Sequence, residues 1–256
     1  MRAVWLGGSA NAPSTSAVNY YAITGDLKHT PTPVELARAN ILTDDVEILS
    51  VAAIVGNAPG SGKSWTLAVR NAGATTAASV TIGNTDQSAQ WSGSVICPAD
   101  TRLGLSITPS GTPTAIGSIQ WVIGYQTGGN FYLALTGRTE APPVNITNQY
   151  IGFNGVHNDV PSSSTTAPAE LAPTGYTVTK LGLALGTTTS MAGGATVRCG
   201  KQTMATVSSS LGWGSANGND EIGTLTTPLH VDAGETAMIH LAAGGSLVWP
   251  PYLFSA

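Results

Sequence analysis

Apolar and polar residues alternate with a period of two over much of the chain. Trp65, Leu67 and Val69 alternate with Thr66, Ala68 and Arg70. Leu103, Leu105 and Ile107 alternate with Arg102, Gly104 and Ser106. Ile119 to Ile123 and Phe131 to Leu135 are short apolar runs bounded by turn residues. The pattern continues through Leu181, Leu183 and Leu185, Val231, Met238 to Leu241, and Leu247 to Trp249. Residues that alternate in this way point to opposite faces of a strand. Strands about 8–12 residues apart, separated by Gly and Pro, predict a sandwich or barrel. The one helical candidate is a single turn within Pro33 to Asn40.

The pattern also repeats. Asn19 to Gly25 is echoed by Gln149 to Gly155, and Pro33 to Ala37 by Pro168 to Ala172. Val46 to Gly56 matches Val178 to Gly186, and Thr66 to Arg70 matches Gly194 to Arg198. Pro98-Ala99-Asp100 and the apolar residues after it match Asp232-Ala233-Gly234. Five weak matches in one order, at offsets of 128–135, predict a duplicated unit. The fold expected is all-β: two tandem β-sandwich domains, jelly-roll-like, at residues 17–136 and 149–256. Residues 137–148 form the expected linker, stiffened by Pro142-Pro143. His157 to Ala167 reads as a loop within the second repeat. Residues 1–16 read as an extended N-terminal arm. Trp5 and Leu6 stand there among Gly and Ser, without a core of their own, and are the candidate assembly contacts.

Charge narrows the function. Ten Lys and Arg against fourteen Asp and Glu give a net charge of −4, and charged residues make 9% of the chain. An ordinary soluble domain has about 25%. Ten cations are too few for a dense phosphate-neutralising patch, which argues against nucleic-acid binding. Gly (31) and Pro (15), with abundant Thr, Ser and Ala, suit short strands and tight turns. No apolar run reaches the ~18 residues of a membrane-spanning helix. The apolar core of the N-terminus is about four residues, below the ~7–15 of a signal peptide, so no exported delivery is expected.

Candidate chemistry is sparse. Ser50 to Ser64 (SVAAIVGNAPGSGKS) approaches a phosphate-binding loop, but Asn57 stands where the first Gly of G-x4-G-K-S belongs. The residues after it alternate as a strand instead of opening a helix, so Lys63 reads as a solvated turn residue and no nucleotide is expected. His29, His157, His230 and His240 show no zinc spacing. Asp44-Asp45-Glu47 and Asp220-Glu221 read as turns without a calcium-loop pattern. Cys97 and Cys199 read as buried small residues, with a disulfide between them left open. The Asn145 sequon matters only in a secretory pathway. No catalytic residue, cofactor or metal ligand is assigned. Trp65 and Trp121 belong in the core, whereas Trp91 and Trp213, in Gly/Ser-rich segments, are candidates for stacking on sugar rings.

At Asn57 to Gly73 (NAPGSGKSWTLAVRNAG) the chain resembles a recurrent segment of tailed-phage virion proteins. That family pairs an apolar strand with an APGxGK-type turn, an aromatic-led strand ending in R-N-x-G, and Thr- and Ser-rich strands. Thr75 to Thr85 and Val95 to Thr108 continue the pattern. Pro98-Ala99-Asp100 departs from it by lacking a Gly that Asp232-Ala233-Gly234-Glu235 keeps. The resemblance implies a non-enzymatic β-sandwich on a virion, assembled in the host cytoplasm: a capsid decoration (cement) or head-fibre protein. The charge-poor surface, the core-less arm with Trp5 and Leu6, and the usual closed symmetry of self-complementary patches predict a homo-oligomer, a trimer in the first instance, whose arm meets other virion proteins such as the major capsid protein. The alternatives are a tail-tip, baseplate or fibre adhesin for host surface glycans, or a free carbohydrate-binding module.

Overall fold

The computed structural model describes residues 2–25, 35–129, 135–138, 148–151, 155–156, 170–171, 175–185, 193–200, 209–213, 220–243 and 252–255. Beyond residue 129, side-chain surroundings are described for 175–182 and 228–235. The expected linker, the loop at His157 to Ala167 and the sequon lie almost wholly outside these residues. The chain divides into two compact units, Met1–Tyr132 and Leu133–Ala256.

The first unit contains β1 (Arg2–Ser9), β2 (Asn19–Tyr21), a 3-10 turn (Glu35–Arg38), β3 (Asn40–Ile41), β4 (Val46–Val55) and β5 (Gly60–Asn71). It continues with β6 (Ala74–Asn84), β7 (Ser88–Cys97), β8 (Arg102–Ser110) and β9 (Ile119–Thr127). One sheet runs β1-β9-β4-β7 and the other β2-β8-β5-β6, with β3 also pairing β8. Every pairing is antiparallel. The alternation read from the sequence sets which side chains turn inward. Trp65 and Leu67 of β5, Leu103 of β8 and Trp121 of β9 are among the largest fully buried side chains. In β4 the register slips between Ile48 and Ser50. This bulge changes the inward set from Val46 and Ile48 to Val51, Ala53 and Val55.

The N-terminus differs from the expectation of a free arm. Residues 2–9 are strand β1, paired with β9 from Arg2↔Gln126 to Ser9↔Ile119. Trp5 is 4% exposed. The physical reason is that β9 and the segment 21–25 supply the core that a flexible arm would lack.

The second unit contains β10 (Leu135–Arg138), β11 (Asn148–Ile151), β12 (Gly155–Val156), β13 (Glu170–Leu171) and β14 (Tyr176–Leu185). Then come β15 (Gly193–Gly200), β16 (Ser209–Trp213), β17 (Asp220–Val231), β18 (Thr236–Ala243) and β19 (Tyr252–Ser255). One sheet runs β12-β10-β19-β14-β17 and the other β11-β18-β15-β16, with β13 pairing β18. All pairs are antiparallel except the short β10–β12 pair. The order β10-β19-β14-β17 follows β1-β9-β4-β7, and β11-β18-β15-β16 follows β2-β8-β5-β6. Among the described residues, the added edge strand β12 has a counterpart nowhere in the first unit. Leu135–Arg138, expected across the end of the first domain and the linker, pairs with β19 and so belongs to the second unit.

The matched turns between sheets show how different residues meet one backbone demand. Asp100 has φ 61 and Gly234 has φ 80, both in the left-handed region. Gly adopts it freely, and Asp is one of the few side chains that tolerates it. The missing Gly at Pro98-Ala99-Asp100 is therefore a substitution that keeps the turn.

Candidate functional site

The two faces of the sheet β1-β9-β4-β7 are built for different purposes. On the inner face Trp5 stacks on Tyr125, with ring centroids 3.8 Å apart and planes 12° apart. Tyr21 meets Trp121 edge-on at 5.8 Å. The Trp121 indole Nε1 donates to the Ile23 carbonyl at 2.6 Å, so its polar edge is satisfied in the core. Gly7 makes room for this arrangement. A Cβ there would lie 2.4 Å from Trp121 Nε1 and 2.6 Å from the Ile23 carbonyl oxygen.

The outer face exposes apolar side chains. Val4 is 57% exposed, Leu6 65%, Ile54 53% and Val122 40%. They are contiguous, because Leu6 and Ala52 both pair with Val122, while Val4 and Ile54 lie two residues along their strands. One end of the face is polar. Arg2 Nε donates to Gln126 Oε1 at 3.4 Å, and Gln126 Nε2 donates to Glu47 Oε2. Ser94 Oγ donates to Glu47 Oε1. The Ser94 and Gln126 hydrogen bonds, with the Arg2 charge behind them, hold the Glu47 carboxyl below the usual carboxylate range.

The two candidate assembly residues thus separate: Trp5 faces the core and Leu6 faces outward. Trp91 pairs with Val51, an inward position of β4, and is half-buried. Its ring lies across Gly93, where a Cβ would come within 2.5 Å of it. Trp213 ends β16 opposite Gly193, and its side chain lies outside the described residues.

The remaining candidates are structural where they are described. Lys63 lies within β5, its stem beside Gly60 and Gly111, with no helix following. Asp45 Oδ1 accepts from the Ala99 amide at 2.8 Å and so caps the β7–β8 turn. His230 shares a hydrogen bond with Thr177 at 3.0 Å and lies 3.1 Å from Asp232, all three exposed. Cys97 is a free, buried thiol, and burial pushes its pKa up to about 11. Cys199 lies in β15 and Asp220-Glu221 open β17, with their side chains outside the described residues. Among the described residues no group of three or more His, Cys, Asp and Glu is placed to hold a metal. No helix there is long and apolar enough to cross a membrane.

Sequence reasoning assigned one apolar parity per strand to the core and passed over the other. The signal was present in consecutive apolar residues, Val4-Trp5-Leu6, Ala52 to Val55 and Trp121-Val122-Ile123. A strand with one wet face has no need of these.

No family model and no curated protein sequence matches the chain. Among solved structures, the insecticidal delta-endotoxin Cry8Ea1 of Bacillus thuringiensis aligns with 86% of this chain and 54% of its own. The identity is 10% and the TM-score 0.22. This chain therefore spans about half the length of the endotoxin chain. The Macrobrachium rosenbergii nodavirus structure aligns with 100% of this chain and 88% of its own, at 10% identity and a TM-score of 0.19. Scores this low do not establish a shared fold.

Proposed function

We propose that the protein is a non-enzymatic structural component of a tailed-phage virion, carried on the head surface as a decoration or head-fibre protein. In this reading each unit is a jelly-roll-like β-sandwich, and the two stand in tandem. Strand order is the observation that carries it. With short β3 set aside, the strands of the first unit number one to eight, in sheets 1-8-3-6 and 2-7-4-5. The second unit has the same order once β12 and β13 are set aside. That is the jelly-roll connectivity, an architecture of viral capsid and lectin domains. Architecture narrows the setting but does not fix a function.

Two further features favour the virion. The segment Asn57 to Gly73, which resembles phage virion proteins, lies between β4 and β6 and contains the whole of β5. The charge-poor surface costs little to desolvate when copies or partners pack against it. Docking through a free arm is not carried forward, since Trp5 is already committed to the core. The adhesin and carbohydrate-module readings drew on Trp91 and Trp213, and the inward position of Trp91 weakens them. Mass spectrometry of purified particles tests the proposal. The expected result is this chain at a fixed ratio to the major capsid protein, and its absence from washed particles would refute the proposal.

A further inference from the structure

The outer face of β1-β9-β4-β7 has a property that only a copy of itself exploits fully. We propose that this face packs against the same face of a second copy of the chain, about a two-fold axis running along β9. The inference does not depend on the virion setting.

Strand register sets which residues meet across such an axis. Neighbouring strands lie about 4.8 Å apart, so β1 and β4 flank β9 at equal distances. A two-fold axis in the interface along β9 exchanges β1 of one copy with β4 of the other. Residues that share a β9 partner are then brought face to face. Leu6 and Ala52 share Val122, so Leu6 of each copy meets Ala52 of the other. Val4 and Ser50 share Gly124, and Gly8 and Ile54 share Gln120. The Leu6–Ala52 and Val4–Ser50 pairs each set a larger apolar side chain against a small residue, whereas Gly8 is buried and Ile54 meets the neighbouring Gln120 instead. The fit is helped where the Ser50 hydroxyl folds over Gly124, whose Cβ would lie 2.4 Å from it.

The charges obey the same operation. Arg2 and Glu47 share Gln126, so each cation comes opposite the other copy's anion. An axis along β4 would instead stack Glu47 on its own copy and leave Leu6 unmatched. Stacked sheets cross at about −30°, which tilts the axis about 15° from β9. The match is therefore closest at Val122, and the long Arg2 and Glu47 side chains must span the offset that grows toward Gln126. The exposed parts of Val4, Leu6, Ile54 and Val122 amount to roughly 400 Å², in the range of the largest apolar patch on a monomer. A standard interface covers about 800 Å² per partner, so polar neighbours such as Gln120 complete the contact. An isologous two-fold interface is the commonest form of self-association.

Sedimentation equilibrium on the full chain from about 1 to 100 μM tests this, with the Kd expected in the micromolar range. Leu6→Asp should give a monomer whose thermal unfolding matches that of the wild type diluted below its Kd. Arg2→Glu and Glu47→Arg should each weaken association about tenfold or more, and the double variant should restore it. Val122→Cys, treated with a short bismaleimide, should yield covalent dimers. Ile96→Cys, on β7 beyond the overlap, should not. A monomer at every concentration, a dimer indifferent to Leu6→Asp, or a charge-swapped double variant that stays weak would each overturn the proposal.

Discussion

Trp5 and Leu6 are adjacent in β1, similar in hydrophobicity, and placed in opposite surroundings. Trp5 is stacked on Tyr125 inside the first unit, and Leu6 stands exposed beside Val122 on the other side of the same sheet. The inner face closes around Trp121, which meets Tyr21 edge-on and donates to the Ile23 carbonyl. The outer face carries Val4, Leu6, Ile54 and Val122 with no covering element among the described residues. The contrast teaches that alternation identifies which face builds the domain. Apolar residues at the other parity mark a second surface with its own demand for burial.

The most forceful way to break this comparison is to exchange the two roles. Trp5→Ala should destabilise the first unit by about 3–5 kcal/mol, as for other large buried aromatics. Leu6→Ala should stay within about 0.5 kcal/mol, as at most surface positions. Denaturant unfolding of both variants measures the difference, and equal costs would erase the distinction between the faces. Gly7→Ala sharpens it at one position. Its Cβ meets Trp121 and the Ile23 carbonyl, and overpacking of this kind costs about 1–3 kcal/mol. Ile54→Ser, on the outer face, should leave the unfolding midpoint within about 0.5 kcal/mol of wild type while weakening self-association. A stability loss as large as that of Gly7→Ala would place Ile54 in the core economy of the domain.

The smallest expected effect is that of pH. Hydrogen bonds from Ser94 and Gln126 depress the Glu47 pKa in the folded protein. Any stability this gives is present above the ordinary carboxylate range and is lost as pH falls through the depressed value. Association should weaken over the same acid interval, because the Arg2–Glu47 attraction disappears with the charge. In Glu47→Gln, association at neutral pH should already be weak and should lack that acid-dependent loss. Sedimentation at several pH values reads both.

Much of the first unit was legible in the chain. The period-two runs of β5, β8 and β9 follow from local sequence alone, and the alternation of Trp65 to Val69 already removes the phosphate-loop reading, although β5 begins at Gly60 and takes in Lys63, which the sequence places in a turn. The single turn of helix expected near Pro33 to Asn40 is the 3-10 turn Glu35–Arg38. β1 was not legible. Gly7-Gly8-Ser9 has weak strand propensity, and its partner β9 lies over a hundred residues away, so no local pattern announces the pairing. The same long-range pairing hid the role of Leu135–Arg138, which occupies in the second unit the place that β1 holds in the first. For the candidate site, Leu6 was singled out for its exposure. The register that joins it to Val122 and Ala52 requires three strands from distant parts of the sequence.

The role proposed for this chain is that of a structural component of a virus particle. Gold-labelled antibody against the protein, applied to purified particles and imaged in negative stain, tests it most directly. The account predicts label on the heads, recurring at regular positions over the surface. Particles free of label, with all of the protein left in the soluble fraction, would contradict it.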